Sequence, residues 1–195
     1  MRQIRKGVFE TNSSSTHSIA IPKTHAEKYP NVIHFGIGEF GWEFEEVDPA
    51  DYLYTAILAY YTKPSEREEK LNELKAALDA HDIRYTMDKP AFWHSEGSDA
   101  YYLDNGYIDH SSELGDFLNA VFASPETLLD FICYGLVFTG NDNSDDEERI
   151  FVFRDCPTYT EDHFNSATRD WTSEEKLNTY YKEEYNNYDW YEKWN

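Results

Sequence analysis

Two cysteines, Cys133 and Cys156, are too few to build a disulfide framework in a chain of 195 residues. No apolar run reaches the length of a membrane span. The basic N-terminal stretch MRQIRKGVF has no apolar run behind it, so no secretory signal is expected and a reducing cytoplasm is the expected home. Neither cysteine has the electropositive setting of a reactive thiolate: Cys133 falls in an apolar helical stretch and Cys156 precedes Pro157. There is no G-x-S-x-G nucleophile turn, no C-x-x-C and no H-E-x-x-H.

Positive charge is scarce as well. Seventeen Lys and Arg stand against 38 Asp and Glu, a formal charge of −21. Residues 1–35 carry a net +3, residues 36–140 a net −15 and residues 141–195 a net −9, so the acidity is spread along the chain and forms no tail. Such a surface repels phosphate polyanions and steers positively charged partners toward it. Direct nucleic-acid binding is therefore excluded. A plainer use of the same charge is solubility.

Aromatic residues are plentiful: 16 Tyr, 12 Phe and 5 Trp, within 40% apolar content. That suffices for a packed interior, and the expectation is a single compact α+β domain over residues 1–195. A mixed or antiparallel sheet and about five helices are expected. Strands are predicted at 4–9, 18–21, 31–35, 42–47, 83–87 and 101–108, and a hairpin at 136–139 and 150–153 around a polar loop. Asp48-Pro49 marks a helix start, with Tyr52, Ala56, Ala59 and Tyr60 on one face. Further helices are predicted at 64–80, with Leu71, Leu74 and Leu78 as its stripe, at 111–123, and at 125–134 with Ser124 as cap. Thr172 and Glu175 form a capping box before a long aromatic-rich helix, about 173–194, with Leu177, Tyr181, Tyr185, Tyr188 and Tyr191 at helical spacing.

Two polar segments could carry chemistry. Glu10–Ser18, with Thr11, Asn12, Ser13, Ser14, Ser15, Thr16 and His17, packs hydroxyls, an amide, a carboxylate and an imidazole between two strands. It reads either as an anion cradle with His17 as ligand or base, or as a turn whose side chains satisfy local backbone. It has no internal glycine and no lysine near its end, so it is not a P-loop. The second segment, Gly106–Glu113, brings Asp109 and His110 to a strand–helix junction, as metal or acid–base groups or as a cap and a packed ring. His17, Asp109 and His110 are the first candidates for a metal, zinc foremost, with His34 and Cys133 as further ligand types. His81, His94 and His163 are expected to be exposed. The acidic run after Asn141 mimics a calcium loop, but Glu147 and Phe153 stand where glycine and glutamate are required. No catalytic residue is assigned.

In the C-terminal segment, Tyr180, Trp190 and Trp194 are extra to the core stripe and lie among Glu183, Glu184 and Asp189. Rings beside carboxylates suit an Arg-rich partner through ion pairs and cation–π contacts. A docked helix with incidental surface rings is the plainer reading.

The segments KGVFETNSSSTHSI (6–19), GYIDHSS (106–112) and TGNDN (139–143) resemble an uncharacterised family from bacteriophages and prophages of Gram-positive bacteria. The resemblance covers these three places and carries no catalytic residue with it. It implies a mobile-element protein working in the cytoplasm of a bacterial host. Small acidic proteins of that origin often look like anti-restriction or anti-CRISPR inhibitors, whose carboxylates take the place of DNA phosphates in a basic channel. The preferred expectation is therefore an inhibitor that binds a basic nucleic-acid-handling protein such as a CRISPR nuclease complex. The alternatives are a metal-dependent enzyme acting on a nucleotide or phosphate compound, and a non-catalytic structural or interaction protein.

Overall fold

Asp48 and Pro49 start the helix around which the described chain packs. A computed structural model describes residues 15–22, 25–42, 45–109, 114–141, 164–165, 170–171 and 188–193. The Asp48 carboxylate accepts the Ala50 N–H at 2.8 Å, and helix α1 follows over Pro49–Tyr60. Tyr52, Leu53, Ala56, Ile57 and Leu58 are each at most 1% exposed, so the middle of α1 is enclosed. Pro49 and Asp51 in its first turn are half-buried, and its last turn emerges. Tyr60, expected on the buried face, is 45% exposed because that face has run past the core there.

Helix α2 (Pro64–Ala80) lays Leu74 and Leu78 inward, with Leu71 half-buried beside them, and turns Glu66, Glu68, Glu69, Glu73 and Asp79 to solvent. Helix α3 (Leu114–Val121) buries Leu114, Phe117, Leu118 and Val121. Helix α4 (Pro125–Tyr134) is capped by Ser124, whose hydroxyl accepts the Thr127 N–H at 3.0 Å, and it buries Leu128, Leu129, Phe131 and Ile132. Tyr52, Phe117 and Phe131 meet edge to face in the centre, at 5.6 and 5.3 Å between ring centroids.

The strands are β1 (Ser15–Pro22), β2 (Val32–Phe35), β3 (Glu39–Phe40), β4 (Glu45–Val47), β5 (Arg84–Met87), β6 (Phe92–His94), β7 (Tyr101–Leu103), β8 (Tyr107–Ile108), β9 (Leu136–Asn141), β10 (Phe164–Asn165), β11 (Asp170–Trp171) and β12 (Tyr188–Lys193). The largest sheet has the order β12-β1-β9-β4 and is antiparallel throughout. His17, Ile19 and Ile21 alternate onto the inner face of β1, and Ile19 lies opposite Val137 of β9. The other sheets are two-stranded: β2–β5 and β3–β8 are parallel, β6–β7 and β10–β11 antiparallel.

The architecture is α+β, with four helices and several small sheets among the described residues. The strand expected over 101–108 is two short strands. The turn-forming Asp104-Asn105-Gly106 interrupts it, and Gly106 passes so close to Ile37 and the Gly38 carbonyl that a Cβ would come within 2.4 and 2.8 Å of them. Of the helix expected over 173–194, residues 173–187 and 194 lie outside the described residues. Its last part, Tyr188–Lys193, is strand β12, paired with β1. The strands expected at 4–9 and 150–153 also lie outside them. Strand β9 pairs instead with β1 and β4. No helix among the described residues is long and apolar enough to cross a membrane.

Candidate functional site

His17 and Asp109 belong to the two polar segments, and the fold brings them together. His17 on β1 is 3% exposed, and its Nε2 lies 3.0 Å from the backbone carbonyl of Asp109, just past β8. A carbonyl only accepts, so Nε2 carries the proton and donates. On the other side of the ring, Tyr52 Oη lies 3.0 Å from Nδ1. Burial pushes the Tyr52 phenol well above its ordinary value of 10.0, so it stays protonated and donates to Nδ1. Both ring nitrogens are thereby engaged by the protein.

Gly41 closes the third side. Its φ of +109° lies in the region open to glycine, and a Cβ there would come within 2.9 Å of Asp109 Cβ and 3.1 Å of His17 Nε2. The Asp109 N–H donates to the Phe40 carbonyl at 2.8 Å, which extends the β3–β8 ladder to the site.

As a metal centre this arrangement is a poor fit. It is the Asp109 carbonyl, not its carboxylate, that meets His17, and a metal at His17 would have to displace one of the two hydrogen bonds. Among the described residues no three His, Cys, Asp or Glu side chains gather in a metal-holding group. His110 lies outside the described residues. His34 sits on β2, where its Nδ1 lies 2.8 Å from the Thr86 hydroxyl and its Nε2 3.6 Å from the Asp88 carboxylate. Burial pushes the Cys133 thiol up to about 12, as expected for a structural cysteine.

A second polar cluster was not foreseen. Asp130, fully buried on α4, accepts from His25 Nδ1 at 2.6 Å, the Ala26 N–H at 2.9 Å and the Tyr29 hydroxyl at 3.0 Å. These bonds fasten the segment before β2 to α4, a reason for an aspartate in so apolar a helix. Elsewhere, Asp51 on α1 accepts the Gly36 N–H. Its burial, with Asp48 and Asp88 adding like charge, raises its carboxyl above the ordinary range.

The third feature is exposed. Strands β6 and β7 form a hairpin in which Trp93 pairs with Tyr102 and His94 with Tyr101. On the outer face the Trp93 and Tyr102 rings stack at 4.7 Å with 23° between planes, while remaining 43% and 39% exposed. The inner face sets Phe92 and Leu103 against the core, and the Arg67 guanidinium lies 3.7 Å from the Phe92 ring centroid. Arg67 also donates to the carbonyls of Tyr61 and Tyr101, and the Tyr101 N–H donates to Thr62, so the hairpin is pinned to the loop between α1 and α2. Asn105 secures its base by accepting the Ala91 N–H at 2.7 Å. Between residues 85 and 109 five acids accompany one Lys or Arg, Lys89. Asp88, Glu96, Asp99 and Asp104 are all exposed.

Of the residues expected to face a partner, Asp189 and Trp190 lie on β12 opposite Ile21 and Ala20 of β1. Tyr180, Glu183, Glu184 and Trp194 lie outside the described residues. An apolar groove of about 310 Å³ runs between α2 and α4, lined by Ala76, Ala77, Ala80, Phe122, Pro125 and Leu128, with Glu73 and Ser124 as its polar members. No family model, curated protein or solved structure matches the chain.

Proposed function

We propose that this chain is an acidic partner-binding protein that occupies the basic surface of a nucleic-acid-handling host protein and so inhibits it. The observation that carries the reading is the charge of −21, distributed along the chain. Surfaces such as the outer face of α2 turn Glu66, Glu68, Glu69, Glu73 and Asp79 to solvent, whereas Lys63 and Lys70 are engaged by Glu66 and Glu73. Carboxylates so arranged compete for sites that otherwise hold phosphates. The resemblance of three short segments to a phage and prophage family makes a CRISPR nuclease complex, or a restriction enzyme, the first partner to test. The expected place of action is the bacterial cytoplasm.

An enzyme acting on a nucleotide or phosphate compound draws support from the meeting of His17 and Asp109. Against it stands the engagement of both His17 nitrogens by Asp109 and Tyr52. The deciding experiment adds the purified protein to a CRISPR nuclease complex before its DNA and follows DNA binding and cleavage as salt is varied. The inhibitor reading expects loss of DNA binding, with association that slows as salt screens the exposed charge over about 8–10 Å. Unimpaired cleavage by such nucleases, together with metal-dependent turnover of a nucleotide, would transfer the case to the enzyme.

A further inference from the structure

The geometry points to the outer face of the β6–β7 hairpin as a seat for an arginine side chain of the partner. The inference rests on the acidic partner-binding reading and names the contact that would give it specificity.

Trp93 and Tyr102 are large rings left 43% and 39% exposed, and they stack on each other instead of turning inward. The core does not need them, because Phe92 and Leu103 on the opposite face already pack against it. Exposed Trp and Tyr held rigidly side by side have the make-up of binding hot spots. The rigidity comes from Arg67, Asn105 and the Tyr101 N–H, so little ordering remains to be done when a ligand arrives.

The chemistry of the ligand follows from charge. Ring faces carry the negative side of the aromatic quadrupole and attract cations. Exposed Glu96 and Asp99 occupy the hairpin turn, and exposed Asp104 directly follows β7. A planar guanidinium can stack on such rings while its N–H groups reach the carboxylates, which a lysine ammonium does less well. A nucleobase would find the same rings, but its phosphates would meet an acidic neighbourhood within a chain of charge −21.

The test titrates the full chain with oligo-arginine and oligo-lysine peptides of equal length. Peptide anisotropy gives affinity, and the Trp93 indole N–H resonance, assigned by comparison with Trp93→Thr, reports on the seat. The expected result is tighter binding of oligo-arginine by about three- to tenfold, with the Trp93 indole signal shifted. In a Trp93→Thr, Tyr102→Thr variant that preference disappears, while oligo-lysine binds as before. Threonine keeps strand preference at both positions, and circular dichroism confirms the fold. If the double variant fails to fold, the Tyr102→Thr variant and the indole shift in the parent chain decide. Equal affinity for both peptides, unmoved by the substitutions, overturns the arginine seat and leaves the acidic-surface reading standing. No affinity for either peptide at low salt overturns the acidic-surface reading itself. A Trp93 shift produced by a neutral oligosaccharide or by oligothymidylate, but not by oligo-arginine, rejects the proposal in favour of that ligand.

Discussion

Tyr52 donates to Nδ1 of His17 across 3.0 Å, a hydrogen bond between the first turn of helix α1 and the inner face of strand β1, with both residues at most 3% exposed. Tyr52→Phe keeps the ring in place and leaves a buried nitrogen without that donor. The expected loss of stability is about 1–3 kcal/mol, read from urea denaturation. Nitrogen NMR of the parent should show His17 protonated at Nε2. A proton on Nδ1 in a neutral ring would reject this network.

Asp130 separates a buried acceptor from its exposed partner. Asp130→Ala strands the Ala26 N–H and the Tyr29 hydroxyl together with His25, and should cost about 3 kcal/mol. His25→Ala removes one bond from a side chain that is 60% exposed, and should cost less than about 1 kcal/mol. Equal losses in denaturation would contradict the assignment of Asp130 as the hub.

Gly41→Ala tests the closeness of β1 to the end of β8. The positive φ and the 2.9 Å approach to Asp109 Cβ both oppose a side chain, and destabilisation beyond about 1 kcal/mol is expected. A thermal scan in which this variant matches the parent would mean the three segments are further apart.

Asp51 gives a pH dependence of defined sign. Its carboxyl is raised by burial above 3.8, so the folded chain holds that proton more tightly than the unfolded one. The associated stability is complete below 3.8 and is lost as pH rises through the folded-state value. Asp51→Asn keeps an acceptor for Gly36 and removes the charge. It should stabilise at neutral pH by less than about 1 kcal/mol, because the carboxyl is partly solvated. The gain should shrink toward pH 3.8, and denaturation curves showing a larger gain there than at neutrality would refute the sign.

Nucleic acid should not bind. Gel shifts with DNA and RNA near physiological salt are expected to be blank, and a micromolar complex that weakens steeply with salt would contradict the charge argument.

Helix starts were legible in the sequence because their signals are local: Asp48-Pro49 and Ser124-Pro125 satisfy their own first turns. The nearness of the two polar segments was legible too, since both fall at strand ends. The partner of His17 was not, because Tyr52 reads like any core tyrosine and only the tertiary fold brings its hydroxyl to the His17 ring. The β3–β8 pairing joins two-residue strands from distant parts of the chain, beyond the reach of any local pattern. The aromatic hairpin could have been found. Phe92-Trp93-His94 and Tyr101-Tyr102 flank a turn with Gly97 at φ +82°, a strand–turn–strand composition. Tyr188–Lys193, at the end of the expected aromatic-rich helix, pairs with β1, whereas the part of that helix before Tyr188 lies outside the described residues.

The place of β1 in the sheet sets an order of assembly during synthesis. It emerges from the ribosome before either neighbour: one flanking strand, β9, follows more than a hundred residues later and the other, β12, later still. Until then its amide and carbonyl rows are open to water or to strands of other nascent chains. Contacts of such sequence separation also slow folding, because the intervening chain must close before they form. A chain cut short before Tyr188 would carry a permanently open β1 edge and should self-associate, whatever becomes of its partner-binding surface.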